Sequence, residues 1–233
     1  MTSAAPHRRW LHLLLLLVLP AALTCSTTAQ SPGTHPVTGR EFAGVMSHRG
    51  AGWLDRAERD REENTTRALE ALGVTPGMVV ADFGAGSGYY TERLARQVGP
   101  DGKVLAVDLQ PEMLELLGAR ITRLGLTNVE LIRSTEDDPR LPTGTVDLIL
   151  MVDVYHELSQ PQLVLRRMKA ALSPRGRIAI LEYRKEDASV PIRPEHKMSV
   201  AEATAEFGAE GYRLDARVDS LPWQHLLFFA PQR

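Results

Sequence analysis

The stretch Val79–Thr91 reads V-V-A-D-F-G-A-G-S-G-Y-Y-T, and it constrains this chain more than any other. A short apolar run ends in an acid, three glycines alternate with small residues, and helix-forming residues follow. Strand, tight turn and helix in that order open a doubly wound α/β sheet that binds a nucleotide cofactor. Gly84, Gly86 and Gly88 let the backbone bend sharply and let a ligand approach main-chain atoms. The helix behind them offers unpaired N–H groups at its start. The spacing is G-x-G-x-G, so the third glycine comes one residue earlier than in a dinucleotide site, and no Lys-Ser or Lys-Thr follows as in a P-loop. Asp82 sits two residues before the first glycine. A carboxylate beside a tight turn suits a cofactor carrying an amine and a positive charge better than one carrying a pyrophosphate.

A second acid extends the pattern. Val104–Val107 reads as the next strand and ends at Asp108, about twenty residues past the turn, where such folds place a ribose-binding carboxylate. With these residues in view, D-F-G-A-G-S-G resembles the first motif of the class I S-adenosylmethionine-dependent methyltransferases, and the resemblance runs from about Asn64 to Pro231. It implies a Rossmann-like, doubly wound α/β sheet of seven strands, order 3-2-1-4-5-7-6, with strand 7 antiparallel. It implies S-adenosyl-L-methionine as cofactor and a small-molecule methyl acceptor as partner. Carried onto this sequence, it assigns cofactor binding to Asp82, Gly84, Ala85, Gly86, Gly88, Asp108, Leu109, Thr135, Glu136 and Asp153. The family usually has an acid at the adenine after the third strand. Here Ser134 and Thr135 take that approximate place and the acids come later, so a plain capped turn reads equally well.

Val146–Val152 is a continuous apolar run, suited to a strand buried on both faces. It leads into Asp153-Val154-Tyr155-His156-Glu157. Ligands in open α/β sheets lie beyond the C-terminal strand ends, so this loop is expected to face the reacting methyl group. Arg177–Leu181 reads as the fifth strand, ending in Glu182-Tyr183, and Tyr212–Val218 and Leu226–Phe229 as the last two. The catalytic candidates are His156 and His196, which titrate near neutrality, with Asp153, Tyr155 and Glu182 to orient them. Each histidine also reads as a hydrogen-bonded structural residue. Asp153 and Glu182 end neighbouring strands and could together attract Mg²⁺, but two acids are thin grounds, and no metal is assigned. After an insertion at Asp187–Pro194, Ser199 and Glu202 have the spacing of a capping box.

The chain has 233 residues, a net charge of −2 and a single cysteine, Cys25. The balance gives no footprint for nucleic acid, and one cysteine gives no disulfide framework. Residues 1–29 read as a signal peptide: Arg8-Arg9, an apolar run Leu11–Leu19 broken by His12 and closed by Pro20, then small residues. The run is too short for a comfortable membrane span. Cys25 leaves a lipoprotein signal open, Arg8-Arg9 a twin-arginine route, and an uncleaved anchor is a further alternative. The expected location is therefore exported, periplasmic or membrane-anchored, although S-adenosylmethionine is made in the cytosol. Residues 30–39 read as a linker and 73–233 as the methyltransferase domain. Between them, 40–72 reads either as an amphipathic helical segment on the sheet or as a lid with Trp53 as an apolar wall. A non-catalytic exported module holding a nucleoside-like ligand, and an NAD-dependent reductase, are the competing functions.

Overall fold

The computed structural model describes residues 1–2 and 33–232. The expected signal peptide, Cys25 included, and the first part of the expected linker lie outside the described residues. The chain from residue 33 onward alternates strand and helix as the sequence pattern requires. The strands are β1 (Val79–Phe83), β2 (Lys103–Asp108), β3 (Val129–Arg133), β4 (Val146–Val152), β5 (Leu172–Arg184), β6 (Lys197–Met198), β7 (Tyr212–Val218) and β8 (Gln224–Pro231). They form one sheet in the order β3-β2-β1-β4-β5-β8-β7. β1 to β5 are parallel, and β8 runs antiparallel to both β5 and β7. The expected seven-stranded path is present, and a short eighth strand pairs with β5 off that path. The insertion after β5 returns as the two-residue β6, which pairs in parallel with Tyr183 and Arg184.

Alternation along the strands builds the two layers. Ala81, Phe83, Ile149, Met151, Ile178 and Ile180 point to the face covered by α6 (Pro161–Ala171) and α7 (Val200–Ala209). Val80, Val104, Leu148, Leu150 and Leu181 point to the other, covered by α3 (Thr65–Leu72) and α4 (Tyr89–Val98). The remaining long helix, α5 (Pro111–Arg123), seats Leu117 against Ala85 and Ala106. Proline opens both α5 and α6, and Ser199 with Glu202 forms the expected capping box of α7.

Residues 33–42, read in part as linker, instead make a tight hairpin-like turn. His35 N–H donates to the Arg40 carbonyl at 2.7 Å, and Phe42 N–H to the Gly33 carbonyl at 2.9 Å. Pro36, Thr38 and Gly39 supply the turn chemistry, and buried Arg40 fastens the turn to buried Glu206 of α7 through Nε at 3.2 Å and Nη2 at 3.1 Å. Two short helices, α1 (Ala51–Leu54) and α2 (Arg59–Glu63), lead on to α3.

Candidate active site

The C-terminal ends of β1 and β2 form one half of the site. Gly84, Gly86 and Gly88 all have positive φ (75°, 54° and 88°), a backbone that side chains other than glycine's adopt only at a cost. The turn is pinned to β2: Gly84 and Ala85 N–H donate to the Val107 carbonyl, and Gly86 N–H donates to Asp108 Oδ2 at 2.8 Å. Gln110 N–H donates to the other oxygen, Oδ1, at 2.9 Å. Asp82 is buried and accepts from Thr91 Oγ1 at 2.5 Å. Burial pushes its carboxyl up to about 6, with Asp108 adding to the rise and Arg59 opposing it. Burial also raises Asp108, against the backbone N–H groups that favour its charge. Leu109 lies exposed beside it.

The loop after β3 forms a local turn, one of the two readings of its sequence. Thr135 Oγ1 donates to Asp137 Oδ1 at 2.7 Å and accepts from Asp138 N–H, closing a local turn. Glu136 accepts from Ser159. Both are thus engaged within the loop and with its neighbour. The residue tied to the β2 end is Ser134, whose N–H donates to the Asp108 carbonyl at 3.0 Å.

The ends of β4 and β5 form the other half. Asp153 sits in the left-handed region at φ 54°, a strained position for a residue with a side chain. Both its oxygens accept from Gln224 Nε2 at 2.9 Å. Burial, with Glu63 and Glu182 nearby, holds its carboxyl well above the usual range. Glu182 accepts from Tyr155 N–H at 3.0 Å and meets His156 Nδ1 at 2.6 Å. His156 Nε2 lies 3.2 Å from His196 Nδ1. Burial works against charging the His156 ring, but Glu182 outweighs it and the net effect is upward. His196 is held down by burial, His156 and Arg193. The oxygens of Asp153 accept from Gln224, and those of Glu182 meet Tyr155 N–H and His156 Nδ1. Tyr155, read as an orienter, turns its ring into the core, on Phe207 at 4.8 Å and beneath Arg40 at 5.9 Å, and reaches His156 through its N–H, which donates to Glu182.

The N-terminal segment covers both halves. Gln110 donates to the Met46 carbonyl and accepts from His48 N–H. Met46 N–H donates to Glu157, whose carboxyl burial pushes up to about 7. A Cβ added to Gly86 would lie 2.6 Å from Leu54 Cδ1, one on Gly84 2.4 Å from Val154 Cγ2, and one on Gly88 2.9 Å from Leu117 Cγ. The close approach that glycine permits is thus made by side chains here, at Gly86 by the covering segment itself. Trp53 is half exposed and stacks on Arg56 at 3.8 Å instead of walling a pocket. Buried Arg59 donates to Glu63 and to the Leu54 carbonyl, and it is the cation that offsets both Asp82 and Asp153.

Two observations fit a cationic ligand. Buried Asp82 and half-buried Asp153 are carboxylates whose charged form is disfavoured and that a positive charge would relieve. Ser87 Oγ and Tyr90 Oη, beside the turn, are buried with no hydrogen-bond partner among the described residues. Sequence reasoning missed Arg59, Glu63, Gln110, Glu157 and Gln224. Glu157 carried a local signal in its place next to His156, and Arg59 and Glu63 one in their spacing of four, which allows a helix-face pair.

Residues 74–216 match the family described as a methyltransferase domain. The chain is similar to the ubiquinone/menaquinone biosynthesis C-methyltransferase UbiE of Salmonella arizonae, 30% identical over 118 residues, which are 50% of this chain and 47% of that protein. It thus spans about half the length of the curated relatives it matches. Among solved structures it resembles an S-adenosylmethionine-dependent methyltransferase from Aquifex aeolicus, with a TM-score of 0.75 and 31% identity over 79% of this chain and 98% of that one. It shares the fold of Aeropyrum pernix fibrillarin in complex with natively bound S-adenosylmethionine, with a TM-score of 0.51 and 16% identity over 67% and 68% of the two chains.

Proposed function

The chain belongs to the S-adenosylmethionine-dependent methyltransferase family, and from that premise we propose that it transfers the cofactor's methyl group to a small-molecule acceptor held at the His156 loop. The observation that carries this reading is a pair of carboxylates, buried Asp82 near the end of β1 and half-buried Asp153 just after β4, beside a left-handed glycine turn with hydroxyls that have no partner among the described residues. S-adenosylmethionine, when bound, supplies an electrophilic methyl on a sulfonium. Asp108 serves the ribose hydroxyls, and Asp82 and Asp153 serve the cofactor's positive charges. Leu54 leaves Gly86 as the ligand enters, so 40–72 acts as a lid that then excludes water. Glu182 fixes the His156 tautomer by accepting from Nδ1–H, and Nε2, which lies 3.2 Å from His196 Nδ1, takes a proton from the acceptor once the acceptor displaces His196 from it. A base so placed suits a heteroatom acceptor or an acidic carbon. Positioning supplies the rest of the rate.

Calorimetry with S-adenosylmethionine on wild type and Asp82→Ala tests the reading, followed by mass spectrometry of methylated acceptors. No heat at millimolar cofactor would overturn it. A second reading, a non-catalytic module for a nucleoside-like ligand, is favoured by Leu54 against Gly86 and by the closed turn at Thr135. Turnover on any acceptor, lost in Asp82→Ala, excludes that one. We also propose that the protein acts outside the cytosol, on the basic-apolar-small pattern of residues 1–29, either free or tethered through Cys25 or an uncleaved signal. N-terminal mass spectrometry of the protein recovered from cell fractions decides between these.

A further inference from the structure

We propose that His156 Nε2, His196 Nδ1 and the Glu157 carboxylate form a site for one divalent first-row transition-metal ion, with zinc as the default occupant. Their ligand atoms all lie within 4.8 Å of one another. The two histidine nitrogens, 3.2 Å apart, already match the roughly 3.3 Å edge of a tetrahedron with zinc–nitrogen bonds near 2.0 Å. Glu157 has the longer way to travel. Its Oε1 accepts from Met46 N–H at 3.3 Å, which leaves Oε2 for an ion.

The surroundings resemble those of a built site. Glu182 meets His156 Nδ1 at 2.6 Å and is itself held by Tyr155 N–H, so the His156 ring is locked with Nε2 turned outward. A carboxylate behind a ligating imidazole is the usual outer partner of a metal histidine. His156 and Glu157 lie on the 3-10 turn after β4, while His196 comes from the insertion and is brought back by the pairing of β6 with β5. His196 and Glu157 are half-buried, so three protein ligands leave a coordination position toward solvent, the form of a catalytic site and not of a closed structural one. Two imidazoles and one carboxylate suit zinc, iron, nickel or copper better than magnesium or calcium.

One residue opposes the ion. Arg193 Nη2 lies 3.2 Å from His196 Nε2, and arginine can only donate. In the ion-free protein His196 therefore carries its proton on Nδ1 and donates to His156 Nε2. Ion binding moves that proton to Nε2 and turns the exposed Arg193 side chain away, with no net change in protons on His196. With an ion bound, His156 Nε2 is no longer a base. The open position would then take an acceptor oxygen or sulfur and promote loss of its proton.

The test uses untagged full-length protein stripped with chelator and titrated with Co²⁺, read by visible absorption, then with Zn²⁺ in competition. One Co²⁺ per chain is expected. His196→Ala and Glu157→Gln should weaken binding at least tenfold, Glu182→Gln by ten- to a hundredfold, and Arg193→Ala should tighten it several-fold. His156→Ala would strand buried Glu182 and could unfold the protein, so the argument rests on the other four variants, each checked by thermal melt. Absence of saturable Co²⁺ binding, or binding that His196→Ala and Glu157→Gln leave unchanged, overturns the proposal. The readout needs no cofactor, so it stands or falls separately from the calorimetry with S-adenosylmethionine.

Discussion

Asp82 and Asp108 end β1 and β2, and their hydrogen bonds come from nearby chain: Thr91, Gly86 N–H and Gln110 N–H, separated by 9, 22 and 2 residues. Asp153 and Glu182 end β4 and β5, and they are held in part by side chains from farther off, Gln224 at 71 residues and His156 at 26. The first half of the site is largely a property of one strand-turn-helix unit. The second exists only once β4, β5, β8 and the insertion have assembled. Damage to the second half, Asp153 apart because it also serves the cofactor, should therefore fall on turnover, and damage to the first on cofactor affinity.

The largest separation of the two is expected from Glu182→Gln. It keeps the shape of the side chain but removes the charge that fixes the His156 ring. Turnover should fall by about 10²- to 10⁴-fold with the cofactor dissociation constant little changed, measured by steady-state rates beside calorimetry. An equal loss in both quantities would break the division into halves.

Gly84→Ala probes the other side. At φ 75° the new Cβ is strained, and it would lie 2.4 Å from Val154. The expected cost is about 2–4 kcal/mol in denaturant unfolding, with loss of cofactor binding. Gly144→Ala, at φ 71° but in open space, should cost about 1 kcal/mol and leave the cofactor untouched.

That contrast explains what the sequence could disclose. A glycine triplet between an acid and a helix is a local signal, because positive φ is cheap for glycine and costly for other residues. So the turn, Asp82, Asp108 and the buried strands around them could be read before any coordinates. The segment 40–72 reads as a helical cover or lid, but its attachments could not be read. Arg40 to Glu206 spans 166 residues and Gln110 to the Met46 carbonyl spans 64, and no periodicity in a sequence marks such pairs. β6 escaped notice because two residues carry no alternation. Thr135 and Glu136 were placed by family likeness, while their side chains answer to the nearer Asp137, Asp138 and Ser159.

Asp82 allows a milder test through pH. Its carboxyl is pushed up to about 6 from 3.8, so between those values the folded, ligand-free protein holds a proton that the unfolded chain has released. Folding stability from this group is thus present at low pH and falls as pH climbs through that window. A cationic cofactor needs the carboxylate, so its affinity should move the other way, about tenfold weaker at pH 5 than at pH 7. Asp82→Asn should remove both trends, melting higher than wild type at pH 7 without cofactor while binding it poorly. A wild-type affinity flat from pH 5 to 7 would show that Asp82 does not meet a positive charge.

The smallest expected effect lies in the insertion. Ser199 Oγ accepts from Glu202 N–H at 3.1 Å while the Glu202 carboxylate accepts from Ser199 N–H at 3.0 Å, and this box starts α7 three residues after His196. Ser199→Ala removes one of those bonds and should cost about 1 kcal/mol. Because β6 lies between the box and His196, the loosening should reach the histidine pair and lower turnover a few-fold, whereas Gly86, in the turn after β1, and Asp108, on β2, lie on elements the change does not touch. Cofactor affinity unchanged within error, with slower turnover, would confine the effect to the assembled half. If affinity dropped as far as the rate, the two halves would have to share the cover as a common support: Met46 N–H bonds to Glu157 on one side while its carbonyl takes Gln110 on the other, which makes it the joint through which such coupling would run.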